Sequence, residues 1–230
     1  FDMTVAGTGL TEKVAKSMGI DCESVVLSPA SHAGYYPGAK VMTMKVVFEK
    51  ESLKLLGAQI VGSEGVDKRL DVLATAIHCG MKADMLKDLD LAYAPPFSSA
   101  KDPVNMAGFM IENISKEMIK QYHWDDIKDL PRDGSVTLLD TRTAYEYKSG
   151  HIDGYINIPV DDLRDRLNEL DKSKTVYVIC QSGLRSYIAC RILSQNGFDC
   201  YNFSGGYRFY ASVIKEKEMS EYTYPCGMEK

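Results

Sequence analysis

The hydrophobic pattern changes period once along the chain, near residue 122, and that change constrains the fold more than any other feature. After Trp124, short apolar runs alternate with helical segments. Val136–Asp140 predicts a strand, Thr143–Ser149 a helix, Tyr155–Ile158 a strand, and Asp161–Leu170 a helix with Leu163, Leu167 and Leu170 on one side. The series continues with a strand over Thr175–Cys180, a helix after Arg185, a short strand near Cys200–Phe203 and a last helix after Gly205-Gly206. Such alternation calls for a mostly parallel sheet with helices on its faces, because each parallel strand needs a crossover to reach the next. Before residue 122 the pattern differs: Val41–Phe48 and Leu53–Val61 are two long strands joined by the charged turn Glu49-Lys50-Glu51-Ser52, a hairpin and therefore an antiparallel sheet. A helix over Val66–Cys79 follows, with Val66, Leu70, Leu73 and Ile77 at helical spacing. Asp102 then caps a helix that opens on Pro103 and runs to about Tyr122. The expected architecture is an antiparallel α+β domain over residues 1–122 and a parallel α/β domain over residues 123–230.

Composition narrows the partners. An apolar content of 45% and ordinary charge density describe a well-cored chain, and a net charge of −5 without a Lys/Arg run argues against nucleic acid. No apolar run reaches the length that crosses a membrane, and a cytoplasmic location is expected. The six cysteines, Cys22, Cys79, Cys180, Cys190, Cys200 and Cys226, include no C-x-x-C pair and read as reduced thiols; Cys226 is a candidate second reactive thiol. The four histidines (32, 78, 123 and 151) lack ligand spacing, so no metal is expected. The chain starts FDMTVAGTGL, without initiator Met or signal peptide, a start expected inside a longer protein.

The stretch VYVICQSGLRSYIACRIL carries the chemistry. Val176, Val178 and Ile179 form a buried strand, and Ile188, Ala189, Ile192 and Leu193 mark the buried stripe of the helix after it. Cys180 therefore sits where a parallel strand ends and a loop leads to a helix N-terminus, the usual ligand position of open α/β sheets. The amides of Gln181, Ser182, Gly183 and Leu184 are expected to turn inward, and Arg185 adds a permanent positive charge. Such a nest stabilises negative charge on sulfur before and after reaction. A cysteine followed by an arginine also serves phosphatases and arsenate reductases. Those loops place five residues between the two, whereas Cys180 and Arg185 are separated by four, a smaller ring suited to a single sulfur atom.

With LLDTRTAYEYKSGHIDGYINIP and NFSGGYRFY, the CQSGLRS loop makes three motifs whose order resembles a rhodanese domain, over about residues 124–215. The resemblance implies that Cys180 carries sulfane sulfur as a persulfide, with residues 181–185 cradling the outer sulfur and Arg185 closing the loop. Ser186 and Arg142 join the substrate-binding candidates, although a structural ion pair of Arg142 with Asp140 is the stronger expectation. His151 is expected to be structural, and Tyr207, Phe209 and Tyr210 take the place of the Trp that many rhodaneses carry after the late glycine pair.

The first half, through the HAGYYPGAK turn, LLGAQIVGSEGVDKRLDVLATAIHCGM and LDLAYAPPFSSAKDPVNMAGFMIEN, resembles the dimerisation domain of the pyridine nucleotide-disulfide reductases, nearest the coenzyme A disulfide reductases. With a rhodanese domain after it, the chain resembles the C-terminal part of a CoA-disulfide reductase/rhodanese fusion. The resemblance implies a homodimer formed through residues 1–122, and FAD, NAD(P)H and coenzyme A for the full-length parent. It further implies that Tyr93 and Tyr35 reach the partner subunit's active site, with Tyr36 as the alternative to Tyr35. No cofactor is expected in this chain itself: AGTGLT at residues 6–11 lacks the third glycine of a dinucleotide turn, and Cys22 and Cys79 read as structural thiols. The expected activity is sulfur uptake by Cys180 from thiosulfate, a polysulfide or CoA persulfide and its delivery to a thiol acceptor. The alternative is a non-catalytic module that dimerises and presents sulfur.

Overall fold

The computed structural model describes residues 2–220, with side chains to Ile214; Cys226 lies outside the described residues. The chain divides into two compact units, residues 1–120 and 121–230.

The first unit is built on a four-stranded antiparallel sheet. Its strands are β1 (Thr4–Gly9), β2 (Cys22–Leu27), β3 (Thr43–Glu49) and β4 (Leu55–Gly62), in the order β1-β4-β3-β2. Successive residues of β3 face opposite ways, as a pleated strand requires. Val46 joins the main core with Met44, Ile60, Leu73 and Ile111, whereas Val47 joins Ala15, Cys22 and Leu56 under the short helix α1 (Glu12–Ser17). The main core is shared by α2 (Val66–His78) and α3 (Pro103–Ser115). The hairpin lies where its charged turn predicts, but β4 begins at Leu55 rather than Leu53. Leu53 completes the turn in a left-handed conformation, φ 58°, with its N–H donated to Glu49 O.

Three features of this unit depart from the sequence pattern. The AGTGLT segment belongs largely to edge strand β1, paired antiparallel with β4. Its approach is so close that a Cβ on Gly57 would lie 2.0 Å from Leu10 O. The buried stripe of α2 contains a charged residue, Arg69, which is 1% exposed. Arg69 Nη2 donates to Asp102 Oδ2 at 2.9 Å and to Ser31 O at 2.8 Å, while Asp102 also accepts from Ser98 Oγ and caps α3 through Val104 N. Finally, α3 ends at Ser115, seven residues before the expected Tyr122. Glu117 turns left-handed, φ 54°, with its N–H on Ile114 O, and Met118 N donates to Asn113 O. This is a Schellman-type stop built without glycine.

The second unit carries β5 (Lys120–Tyr122), β6 (Thr137–Asp140), β7 (Ile156–Asn157), β8 (Val176–Ile179) and β9 (Cys200–Phe203), in the order β5-β9-β8-β6-β7. The pairs β6/β7, β6/β8 and β8/β9 are parallel. Its helices are α4 (Ala144–Lys148), α5 (Leu184–Gln195) and α6 (Gly206–Ser220). The helix expected over Asp161–Leu170 is instead a run of turns ending in a 3-10 segment, Leu167–Glu169. Its backbone hydrogen bonds reach back three residues, as from Arg166 N to Leu163 O, and this still buries Leu163 and Leu170. The strand expected over Tyr155–Ile158 shrinks to two residues. On α5, Ile188 is exposed and Cys190 takes its place beside Ala189, Ile192 and Leu193 in the core. No helix among the described residues is long and apolar enough to cross a membrane.

Candidate active site

Cys180 directly follows the central strand β8 and is fully buried. The chain then turns through Gln181, Ser182 and Gly183, and α5 begins at Leu184. Gly183 is left-handed, φ 99°, a conformation that L side chains rarely adopt, and the turn aims its N–H at Cys180 Sγ, 3.1 Å away. Ser186, in the first turn of α5, places Oγ 3.3 Å from the same sulfur and 3.1 Å from Gly183 O. The sulfur thus meets one amide and one hydroxyl, a smaller donor set than the four inward amides the sequence predicts.

The Gly205-Gly206 pair explains how the loop is held. Tyr207 N and Arg208 N at the start of α6 donate to Cys180 O and Gln181 O at 2.8 and 3.0 Å. That approach leaves no space for a side chain at Gly206, where a Cβ would stand 2.6 Å from Ser182 N. From the strand side, Thr141 Oγ1 donates to Ile179 O.

The two arginines of the site are both paired. Arg142 lies against Asp140, with Nε and Nη2 on its carboxylate and Nη2 also on Gly150 O. Its guanidinium stacks 3.9 Å from the Tyr207 ring centroid. At 1% exposure Arg142 forms the ion pair with Asp140 that is the stronger expectation for it. Gln181 is drawn to the same pair, its Oε1 accepting from Arg142 Nη1 at 3.4 Å. Arg185 is not free either: Nη1 and Nη2 donate to the two oxygens of Glu146 at 2.7 and 2.6 Å. Glu146 is fixed in turn as N3 of α4, its Oε2 accepting from Thr143 N and Oγ1 in a capping box. The Arg185 hydrogen bonds lower the Glu146 carboxyl to about 2, against desolvation. The same partner raises Arg185 above its ordinary value. The sequence pattern pointed to Arg185 as an open positive charge and did not single out Glu146; the T-x-x-E capping signature was the available signal.

Other candidates fall into place around this core. Ser182 and Gly183 are half-buried and Leu184 is exposed. His151 stacks on Tyr147 at 4.0 Å and lines a groove of about 740 Å³ with Trp124, Arg132, Tyr207 and Tyr210. Cys190 and Cys200 are buried, and burial pushes the Cys190 thiol well up. Cys79, expected to be structural, is exposed. In the first unit, Tyr35 and Tyr93, 58 positions apart, meet with their hydroxyl oxygens 2.8 Å apart. Tyr36 instead packs edge-on against His32. The hydrogen bond to Tyr35 raises the Tyr93 phenol.

Residues 1–104 match the family model of the pyridine nucleotide-disulphide oxidoreductase dimerisation domain, and residues 123–212 match that of the rhodanese-like domain. The chain joins an oxidoreductase dimerisation domain to a rhodanese-like domain. A coenzyme A disulfide reductase of Staphylococcus epidermidis is 41% identical over 109 residues, 47% of this chain and 24% of that protein. Reduced CoADR-RHD from Bacillus anthracis superposes with a TM-score of 0.91 at 47% identity, over 94% of this chain and 39% of its own. An NAD-dependent persulfide reductase from A. fulgidus gives 0.83 at 39% identity, over 91% of this chain and 37% of its own. The chain spans about a quarter of the length of the curated relatives it matches. For the dinucleotide cofactors of such enzymes the one glycine-rich candidate is a poor fit, since AGTGLT is paired with β4 along β1 and Gly9, at its end, packs against Leu56 O.

Proposed function

We propose that this chain is the dimerisation and sulfur-carrying portion of a CoA-disulfide, CoA-persulfide or polysulfide reductase, and that its rhodanese-like domain is a sulfurtransferase module. The observation that carries the proposal is the seat of Cys180 at the end of the central parallel strand, with Gly183 N–H and Ser186 Oγ on its sulfur. The Cys180 thiolate attacks the outer sulfur of a donor, the donor's sulfur–sulfur bond breaks, and its remainder leaves with the electron pair. The new persulfide remains anionic or protonated at its outer sulfur, and the Gly183 amide stabilises negative charge on the pair. A thiol acceptor then takes the outer sulfur and restores Cys180. The names of the A. fulgidus and S. epidermidis relatives support an alkyl persulfide or disulfide as the physiological class.

In the whole protein FAD and NAD(P)H would supply the electrons. Within this chain, Tyr35 and Tyr93 are exposed at 77% and 48% and joined hydroxyl to hydroxyl, a pair suited to donating a hydrogen bond to a developing thiolate of the partner subunit in a homodimer. Intact-mass analysis after incubation with polysulfide tests the sulfur-carrier proposal. A dithiothreitol-reversible gain of one sulfur, about 32 Da, is expected for the chain and not for Cys180→Ser. Equal gain in both, or in neither, overturns it. Sedimentation at micromolar concentration checks the homodimer, for which a monomer is the contrary result.

A further inference from the structure

We propose that Glu146 is a specificity-determining residue that cancels the charge of Arg185 and so sets the sulfur site against dianionic donors such as thiosulfate. The inference rests on Cys180 being the sulfur carrier. The two arginines nearest the loop each meet a carboxylate. Arg142 is closed off behind the site by Asp140, and Arg185 is gripped through both Nη atoms by the two oxygens of Glu146. Glu146 does not swing freely, because the Thr143 cap holds its Oε2 at the first turn of α4. The Arg208 side chain is exposed, and the hydrogen bond this residue makes to the loop comes from its backbone N–H. The sulfur itself is buried among neutral donors, Gly183 N–H and Ser186 Oγ.

The two donor classes ask different things of such a site. With a protonated alkyl persulfide, thiolate and R–S–SH give Cys180–S–SH and R–S⁻, so a neutral donor enters and the single charge of the thiolate leaves on R–S⁻. With thiosulfate, the thiolate and S–SO₃²⁻ give Cys180–S–S⁻ and SO₃²⁻, so three negative charges must gather around a single buried sulfur. An open guanidinium would attract that dianion and its sulfite leaving group, whereas a guanidinium held by a carboxylate presents no net charge. The carboxylate thus costs the thiosulfate reaction far more than the alkyl persulfide reaction.

The test is single-turnover persulfidation of Cys180 in the full chain, followed by intact mass, with thiosulfate and with glutathione persulfide. Glu146→Gln keeps the shape and frees the Arg185 charge. It is expected to raise the thiosulfate rate relative to the glutathione persulfide rate about tenfold. A merely structural role for Glu146 lowers both rates by the same factor, and an unchanged ratio overturns the proposal. Wild type gives a second readout independent of the variant's folding: its thiosulfate rate should be flat or rise with added salt, and a steep fall with salt, the mark of an uncancelled cation, would also overturn it. Absence of sulfur uptake from both donors in wild type would instead bring down the sulfur-carrier proposal, and this inference with it.

Discussion

The candidate residues of the two units differ most in what surrounds them. Cys180 is completely buried, its sulfur already supplied with donors and its loop clamped by α6 within one domain. Tyr35 and Tyr93 stand exposed and bonded to each other. A sulfur carrier has to shield a reactive persulfide from water and stray thiols, so its site is built inward. Residues proposed to complete a site on another subunit have to project outward. The same contrast holds for the ion pairs: Arg69–Asp102 is sealed in the first unit's core, and Arg185–Glu146 is half-exposed beside the sulfur loop.

The largest expected effect tests whether the two units are energetically separate. Arg69→Met leaves the Asp102 carboxylate buried without its partner and should cost about 3–5 kcal/mol in the first unit, read by urea unfolding. Cys180 should still gain sulfur with normal kinetics, and loss of that uptake in step with the first unit's unfolding would break the comparison. Next, Gly206→Ala adds a Cβ where Ser182 N stands 2.6 Å away and places a side chain at φ 70°. A loss of about 1–3 kcal/mol is expected, with slower persulfide formation and no change in the dimer by sedimentation.

A smaller effect concerns pH. The Glu146 carboxyl is lowered from 4.5 to about 2 by its hydrogen bonds with Arg185. The stability it contributes is therefore fully present above about pH 4.5 and lost as the pH falls toward 2. For a half-exposed pair the advantage of wild type over Glu146→Gln should be below about 1 kcal/mol, constant from pH 5 to 8, and gone in strong acid. A difference that instead grows with acidity would show that Glu146 is not held as a carboxylate by Arg185. Smallest of all, Tyr35→Phe should leave the melting temperature and sulfur uptake unchanged. It should bring the Tyr93 phenol down toward 10 in an ultraviolet pH titration, since the Tyr35 hydrogen bond is the leading cause of its rise. An unmoved Tyr93 titration would separate the two hydroxyls.

Much of the second unit was legible from local pattern. β8, the Cys180 loop and α5 follow one another within 20 residues, and each is signalled by its own composition. The Asp161–Leu170 region misled because Leu163, Leu167 and Leu170 suit a helix and a chain of 3-10 turns equally well. In the first unit β1 was not legible: its glycine-rich sequence carries little strand propensity, and its partner β4 lies about 50 positions away. The end of α3 was hidden because Glu117, not a glycine, adopts the left-handed turn.

The sequence by itself determined the change from antiparallel to parallel architecture near residue 122, the position of Cys180 at a strand end, and the cap at Asp102. These depend on side chains within a few residues of one another. Only the tertiary structure decided that Arg69 is buried on Asp102, that Arg142 is buried, that Arg185 belongs to Glu146 and that Tyr35 meets Tyr93. Arg69–Asp102, Arg185–Glu146 and Tyr35–Tyr93 join residues 33 to 58 positions apart. Arg142 stands two residues from Asp140, but its burial comes from Gly150 and Tyr207. Whether a charged or hydroxyl group is free or taken depends on which distant segment packs against it, and no local pattern encodes that.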